Sequence, residues 1–252
     1  MRRLRLFLLL ALLLPALLVS TATAFAQTQP ENPYYSRKNT YGFFAAYSND
    51  SSHILLGVVE QRKLLDLGAS YSRRLWQGRI VNWQYNAELL PVALESDPLV
   101  KEVETFTSPF PQTFTNTYAP VGACHNASGS YTQTINGTVY TYNYVDTCSR
   151  QWTIGEGFSP VGLQWNFRPR RKVQPFVIAH GGYMYSTRAI PIEGAGNFNF
   201  TFDFGAGLEF YRSKTRSIRA EYRYHHISNH DTAAQNPGID NGLFQVTYAF
   251  GR

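Results

Sequence analysis

Three side chains near the C-terminus, His226, Ser228 and Asp240, are of the types that perform nucleophilic hydrolysis. In such sites a serine hydroxyl attacks, a histidine acts as general base and a carboxylate orients the imidazole. His226 and Ser228 are two residues apart, so in a strand they share one face. Counting back two at a time from Phe244, in the aromatic run that follows, reaches Asp240. A hairpin would therefore bring all three side chains to one face.

The run from residue 218 to residue 228, which carries His226 and Ser228, has an unusual distribution of charge. Its charged residues occupy odd positions: Arg219, Glu221, Arg223 and His225. We expect these to face a polar interior, where three acids of other runs could pair with them: Glu88, Asp203 and Glu209. His226 and Ser228 then face outward, where a polar group without a partner is costly in an apolar environment. This cost points to a functional role for the two residues.

The elements that position these residues are runs with a period of two, separated by turn-like segments. The clearest is Phe198 to Tyr211, where phenylalanines fill one face and polar residues, glycines and carboxylates fill the other. Charged residues make up only 16% of the chain and aromatic residues 15%, which argues against disorder and against helical bundles. The pattern is typical of an all-β, antiparallel transmembrane β-barrel. We predict eight strands, with a bulge or a strand start at Pro160.

Connection lengths predict the orientation of this barrel. Three connections are short and basic, as expected on the periplasmic side: 73–79, 168–174 and 211–217. The longest connection, residues 95–151, is rich in Thr, Ser and Asn, and we predict that it is one long extracellular loop. It holds Cys124 and Cys148, the only cysteines of the chain, which we expect to form a disulfide in an exported protein.

Residues 1–26 have the pattern of a secretory signal peptide, with three arginines, an apolar run and a small-residue cleavage site. The mature chain, predicted as one barrel domain, is then 27–252. Removing the three arginines lowers the formal net charge from +6 to +3, which is too small an excess to indicate nucleic acid as a partner. The mature chain has no apolar run long enough to span a bilayer as a helix.

Metal and cofactor chemistry find little support in the sequence. Cys124 and Cys148 have only His125 nearby, too few ligands for a metal. A second group of possible ligands lies near the candidate site: His225, His226, His230 and Asp231. Strand parity directs His225 away from His226, so we expect no metal and no cofactor.

The string His226-Ile227-Ser228-Asn229, followed by Asn236, Gly238 and Asp240, resembles the motif of the outer-membrane lipid A 3-O-deacylase family. The resemblance extends more loosely to the signal peptide, an eight-stranded barrel and a terminal aromatic strand. In that family a serine, histidine and glutamate triad hydrolyses the ester that links a 3-hydroxyacyl chain to the 3-position of lipid A, without a metal. Segment 95–151 has no counterpart in compact members of the family.

The resemblance assigns a role to each matching residue. Ser228 would attack the ester carbonyl, His226 would transfer its proton and Asp240 would hold the imidazole. The Asn229 side chain and nearby backbone N–H groups would bind the oxyanion, and Asn236 and Gly238 would support the site. The chain departs from the family by having Asp240 in place of glutamate, so the loop must come closer. It also has His230 and Asp231 where small residues are usual.

Three functional hypotheses follow. The first is a lipid A 3-O-deacylase in the bacterial outer membrane, a serine esterase with lipopolysaccharide as its substrate. The second is a non-catalytic small barrel whose segment 95–151 binds a partner or a host surface. The third is an esterase that acts on phospholipids with the same scaffold. The sequence leaves the oligomeric state open, with a homodimer among the options.

Overall fold

The computed structural model describes residues 33–106 and 111–252, so the predicted signal peptide, residues 1–26, lies outside the described residues. The described chain is built from strands and one short 3-10 helix at Glu193–Ala195. No helix in these residues is long and apolar enough to cross a membrane. The strands are β1 (Asn39–Ser48), β2 (Lys63–Gln77), β3 (Val81–Phe106), β4 (Gln112–Tyr118), β5 (Ala127–Ile135), β6 (Thr138–Phe167), β7 (Val173–Ser186), β8 (Phe198–Ser213), β9 (Arg216–Ser228) and β10 (Ile239–Gly251).

The strands form one antiparallel sheet that closes on itself. Its order is β4-β3-β2-β1-β10-β9-β8-β7-β6-β5, and β3 also pairs with β6. The β3–β6 pairing joins the two ends of the series from β3 to β6, so eight strands form a ring, while β4 and β5 lie outside it. Closure satisfies the backbone hydrogen bonds of every strand in the ring, which a bilayer requires. The predicted all-β, antiparallel barrel is confirmed.

Side chains alternate across the barrel wall as predicted. On β8 the even-numbered phenylalanines from Phe198 to Phe204 are each more than two-fifths exposed, whereas Asn199, Asp203 and Glu209 are buried. On β9 the odd-numbered residues are buried and face the interior. An apolar exterior with a polar interior reverses the arrangement of a water-soluble protein, and it is stable only where lipid surrounds the wall.

The interior is filled by a charged network centred on Arg223. Its guanidinium donates to both carboxylate oxygens of Glu88, each at 2.8 Å, and lies 3.3 Å from Asp203 and 3.1 Å from Glu221. Asp203 is also 2.9 Å from the Nδ1 atom of His180. The acids predicted to pair with the charged positions of β9 do so. Within this network each buried charge faces a group of opposite sign, which offsets part of the cost of taking charges out of water.

Two ends of the barrel differ in their connections. The short-turn end has brief links between β2 and β3, between β6 and β7, and between β8 and β9. The long-loop end has the other connections and a small apolar core that includes Val59, Ile190, Ile227 and Ile239. The predicted irregularity at Pro160 is present as a register shift between Phe158 and Val161. By the rule that long loops are extracellular, the long-loop end faces outward.

The segment 95–151 differs from the predicted long loop. β3 continues to Phe106 and β6 begins at Thr138, so much of the segment is strand. β4 pairs with the end of β3 and β5 with the start of β6, which gives a four-stranded sheet at the long-loop end. We call it the extension. Its alternating Thr, Val and Tyr residues suit exposed strands, a pattern that its abundant Thr, Ser and Asn concealed in the sequence.

Three contacts hold the extension together. The predicted disulfide between Cys124 and Cys148 is present, with the two Cα atoms 5.9 Å apart. Tyr131 on β5 stacks on Tyr142 of β6 with ring centres 4.8 Å apart. The Tyr131 hydroxyl donates to the Glu104 carboxylate on β3, a hydrogen bond that raises the pKa of Tyr131 to about 12. The hydroxyl therefore stays protonated at pH values near 10, where an unperturbed tyrosine is about half ionised.

Removing the disulfide should loosen the extension and spare the barrel. A Cys124→Ser, Cys148→Ser variant loses the restraint on a loop with a sequence separation of 24 residues, a loss of about 3 kcal/mol in the chain-entropy model. The cost falls on β4 and β5, which pair with the parts of β3 and β6 that extend beyond the ring. Limited proteolysis with mass spectrometry should show faster cleavage between residues 111 and 137. Equally fast cleavage within β8 to β10 would contradict this local role.

Candidate active site

The site lies at the long-loop end, where β9 and β10 are direct neighbours. His226 is paired with Asp240 in the register of these strands, and both point outward. The Nδ1 atom of His226 is 2.6 Å from the Oδ1 atom of Asp240. Asp240 is fully buried and His226 is 9% exposed. Because an ionised carboxylate only accepts hydrogen bonds, Nδ1 is the donor in this pair, and in the neutral imidazole the Nε2 atom is then an acceptor.

The strands hold this pair rigidly because their inward residues are packed. Ile227 and Ile239 pair across the two strands and belong to the apolar core of the long-loop end. Each lies next to a site residue in sequence and points the opposite way. Burial of the isoleucines therefore fixes the backbone from which His226 and Asp240 project.

The Asp240 carboxylate accepts three hydrogen bonds besides the one from His226. The Tyr224 hydroxyl is 2.7 Å from Oδ1, and the backbone N–H groups of Leu55 and Leu56 are 2.7 and 2.8 Å from Oδ2. Leu55 and Leu56 lie in the connection between β1 and β2. Four donors thus satisfy a carboxylate on the outer wall of the barrel, where no solvent could do so in lipid.

Ser228 shares the outer face with His226, as the two-residue spacing predicts. It is the last residue of β9 and is paired with Phe200 of β8. It is partly exposed. Among the described residues no hydrogen bond joins that hydroxyl to His226. The structure therefore brings His226 and Asp240 into contact and places Ser228 on the same face, with no hydrogen bond from its hydroxyl to His226.

The side-chain amide of Asn229, predicted to bind the oxyanion, is bonded to other groups in the structure. Its side-chain amide donates to the backbone carbonyls of Ala195 and Gln235, which uses both of its N–H bonds. Its backbone N–H donates to the side-chain oxygen of Asn236 at 3.1 Å. Asn229 is 1% exposed. In this arrangement Asn229 organises the loop after β9, and its side chain does not point to an oxyanion.

Gly238 occupies a position that only glycine fits comfortably. Its φ is +64°, in the left-handed region. A Cβ atom at this position would be 3.1 Å from the Cε1 atom of His226 and 3.3 Å from the Cα atom of Gly57. The glycine thus permits the close approach of the β9–β10 loop, the imidazole and the β1–β2 connection.

The histidines considered as metal ligands are separated by the barrel wall. His225 points inward, where its Nδ1 atom is 3.8 Å from Asp203, whereas His226 points outward to Asp240. No group of three metal-binding side chains is found in the part of the chain that the structure describes.

Sequence reasoning missed three contributors to the site. Tyr224 is not among the predicted site residues, although its spacing from His226 by two residues places it on the same face of β9. The donors Leu55 and Leu56 act through backbone N–H groups, so their residue types carry no signal of this role. Leu56 is 184 residues from Asp240 in the sequence, and only the fold brings the two together.

Replacing Tyr224 by phenylalanine should test its contribution. Tyr224→Phe removes one hydrogen bond to a carboxylate, and such bonds contribute about 1.5–3 kcal/mol. We expect kcat for ester hydrolysis to fall about 10-fold or more, since 1.36 kcal/mol corresponds to tenfold in rate. Tyr222→Phe is the matched control, because Tyr222 is on the same strand and face but its hydroxyl contacts Asn49. An equal loss in both variants would contradict a specific role for Tyr224.

The fold and the site together define a membrane-embedded β-barrel whose outer wall carries an oriented histidine beside a partly exposed serine. The family model described as Lipid A 3-O-deacylase (PagL) matches residues 117–249, more than half of the chain. The chain belongs to this family. The match includes β9, β10 and the loop between them. Family membership and the apolar outer wall place the protein in the bacterial outer membrane.

Solved structures of other barrels are similar to the chain at low sequence identity. The crystal structure of the outer membrane enzyme PagL has 14% identity and a TM-score of 0.47, covering 84% of this chain and 99% of that one. Neisserial surface protein A has 9% identity and a TM-score of 0.42, covering 84% and 97%. OprG from Pseudomonas aeruginosa has 8% identity and a TM-score of 0.37, covering 88% and 100%. None of the curated protein sequences compared with the chain matches it.

Proposed function

We propose that this protein is a lipid A 3-O-deacylase that uses Ser228, His226 and Asp240 as a catalytic triad. The observation that carries the proposal is the 2.6 Å contact between His226 and Asp240 on the outer wall, within the matched region. A site that faces outward near the long-loop end is accessible to an amphiphile in the outer leaflet. Lipid A is such an amphiphile, and it is the substrate that the family description states.

In the proposed reaction the Ser228 oxygen attacks the carbonyl carbon of the 3-O-linked ester. The Nε2 atom of His226 accepts the serine proton, while the bond to Asp240 stabilises the imidazolium. Serine occupies three staggered χ1 rotamers, so a side-chain rotation can bring its hydroxyl towards the imidazole. Expulsion of the sugar 3-oxygen, which takes the proton from His226, leaves an acyl-serine. Water then attacks the acyl group with His226 as base and releases a 3-hydroxy fatty acid.

The oxyanion of the tetrahedral intermediate needs donors other than the side chain of Asn229. We assign this role to the side-chain amide of Asn236, whose oxygen accepts from the N–H group of the residue after Ser228. The backbone N–H groups of His230 and Asp231 are further candidates. Both residues have positive φ, 52° and 58°, and among the described residues no hydrogen bond from either N–H group is seen. Successive backbone N–H groups of this kind bind anions.

Mass spectrometry of lipid A tests this function directly. Cells that express the wild-type protein should lose one ester-linked hydroxyacyl chain from lipid A, and cells that express Ser228→Ala should not. Unchanged lipid A in both, with the protein folded in the membrane, would favour the non-catalytic barrel. Fatty acid released from phospholipid vesicles, with lipid A intact, would favour a phospholipid esterase.

A further inference from the structure

The connection between β1 and β2 contains an uncharged, exposed segment beside the candidate triad. Residues 54–58 read Ile-Leu-Leu-Gly-Val. Leu55 and Leu56 are each 64% exposed, among the highest values for aliphatic side chains in the described chain. We call residues 54–58 the apolar segment. Exposed aliphatic side chains gathered in one short stretch indicate a surface that contacts something apolar.

The backbone of the same segment holds the acid of the candidate triad. The two leucines with exposed side chains are the ones whose N–H groups donate to Oδ2 of Asp240. Gly57 lies against β10, and a Cβ atom there would be 2.6 Å from the backbone N atom of Asp240. Val58 donates its N–H to the Pro237 carbonyl at 2.9 Å. The segment therefore docks through its backbone, while its side chains point away.

The apolar segment continues the lipid-facing surface of the barrel. Further along β10 from Asp240, three aromatic side chains face outward in a row across neighbouring strands. They are Tyr47 of β1, Phe244 of β10 and Tyr222 of β9, which are paired in the strand register. Each of the three is about half exposed. Asn49, just before the segment, donates to the Tyr222 hydroxyl at 2.7 Å. The acyl chains that cover this row are thus the apolar phase nearest to Leu55 and Leu56.

We propose that the apolar segment is a positioning element that couples contact with outer-leaflet acyl chains to the orientation of Asp240. Partitioning of the leucine side chains into the acyl chains keeps their N–H groups on the carboxylate. The carboxylate in turn keeps His226 oriented. When the side chains lose their apolar phase, the segment leaves Asp240 and the histidine loses its fixed orientation. The predicted effect on catalysis rests on the proposed function. The predicted effect on the contact between the segment and Asp240 rests on the observed hydrogen bonds alone.

The test uses the full-length mature protein in lipid vesicles and two substrates. One substrate is lipid A in the vesicles, and the other is p-nitrophenyl acetate, a soluble ester too short to contact the apolar segment. A Leu55→Asn, Leu56→Asn variant keeps both N–H groups but removes the apolar side chains. A Leu55→Met, Leu56→Met variant keeps the apolar character. An Ile135→Asn, Val139→Asn variant is the matched control, because it changes two exposed aliphatic residues in the extension.

If lipid contact of the apolar segment orients Asp240, replacing its leucines by asparagine lowers kcat on both substrates. The Leu55→Asn, Leu56→Asn variant should lose about 10- to 100-fold in kcat, the size of effect that misplacement of a catalytic group produces. The methionine substitutions should cost much less kcat than the asparagine substitutions, and the control variant should retain wild-type kcat. A higher KM for lipid A, with unchanged kcat and unchanged cleavage of p-nitrophenyl acetate, would overturn the proposal, because the segment would then only bind acyl chains.

Hydrogen exchange separates this inference from the proposed function. The amides of Leu55 and Leu56 should exchange slowly in the wild type and about 10-fold or more faster in the Leu55→Asn, Leu56→Asn variant and in Asp240→Ala. Unchanged exchange in either variant would overturn the inference, whatever the activity. If the wild type cleaves neither ester, the proposed function fails and exchange alone decides the inference. If it cleaves only p-nitrophenyl acetate, lipid A is the wrong substrate, and the kcat comparison on the short ester still applies.

Discussion

Replacing Ser228 by alanine is expected to lower kcat for lipid A deacylation by about 10⁴-fold or more, the usual consequence of losing the nucleophile of a triad. The residual rate would come from groups that bind the substrate and stabilise the oxyanion, which the variant retains. KM should change little, because the hydroxyl forms its decisive bond only during the reaction. Initial rates with purified protein and lipid A in vesicles measure both parameters.

The variant should fold like the wild type, because Ser228 is partly exposed and its side chain makes no hydrogen bond among the described residues. The difference in migration between heated and unheated protein on SDS gels checks that the barrel has formed. Ser213→Ala is a suitable control, since Ser213 is an exposed serine at the end of β8 on the short-turn end. Deacylation at the wild-type rate by folded Ser228→Ala would rule out this serine as the nucleophile.

Replacing Arg223 by methionine is expected to lower the free energy of unfolding of the barrel by about 3–5 kcal/mol, as for other broken buried ion pairs. Arg223 is 1% exposed and faces Glu88, Asp203 and Glu221. Without the guanidinium, three carboxylates share a narrow interior with little solvent. Urea unfolding in lipid vesicles, followed by tryptophan fluorescence, measures the change.

Arg216→Met is the matched control for this substitution. Arg216 is the first residue of β9 and is exposed, so its replacement should leave the free energy of unfolding nearly unchanged. A Glu88→Gln, Arg223→Met variant should recover part of the loss, because one unpaired carboxylate becomes neutral. Equal stability of Arg223→Met and the wild type would show that the interior charges are solvated and independent of each other.

Much of the fold follows from the sequence because a strand in a barrel wall has two faces in different solvents. The alternation of phenylalanine with polar residues on β8 assigns every side chain to lipid or interior without knowledge of the neighbouring strands. The same period places His226 and Ser228 together and separates them from His225. The cysteine pair was predicted correctly for a comparable reason, since two cysteines in an exported chain allow one pairing.

The tertiary structure alone decided the features that depend on hydrogen bonds between distant segments. Strand parity placed Asp240 on the correct face, but only the register of β9 with β10 sets it opposite His226. The N–H donors of Leu55 and Leu56 could not be predicted, because every residue except proline has this group. Asn229 illustrates the same limit. Its side-chain amide could donate to an oxyanion or to loop carbonyls, and only the structure shows that it donates to the carbonyls of Ala195 and Gln235. Periodicity thus determines the face of each side chain, whereas its partner depends on how the closed sheet and its loops meet.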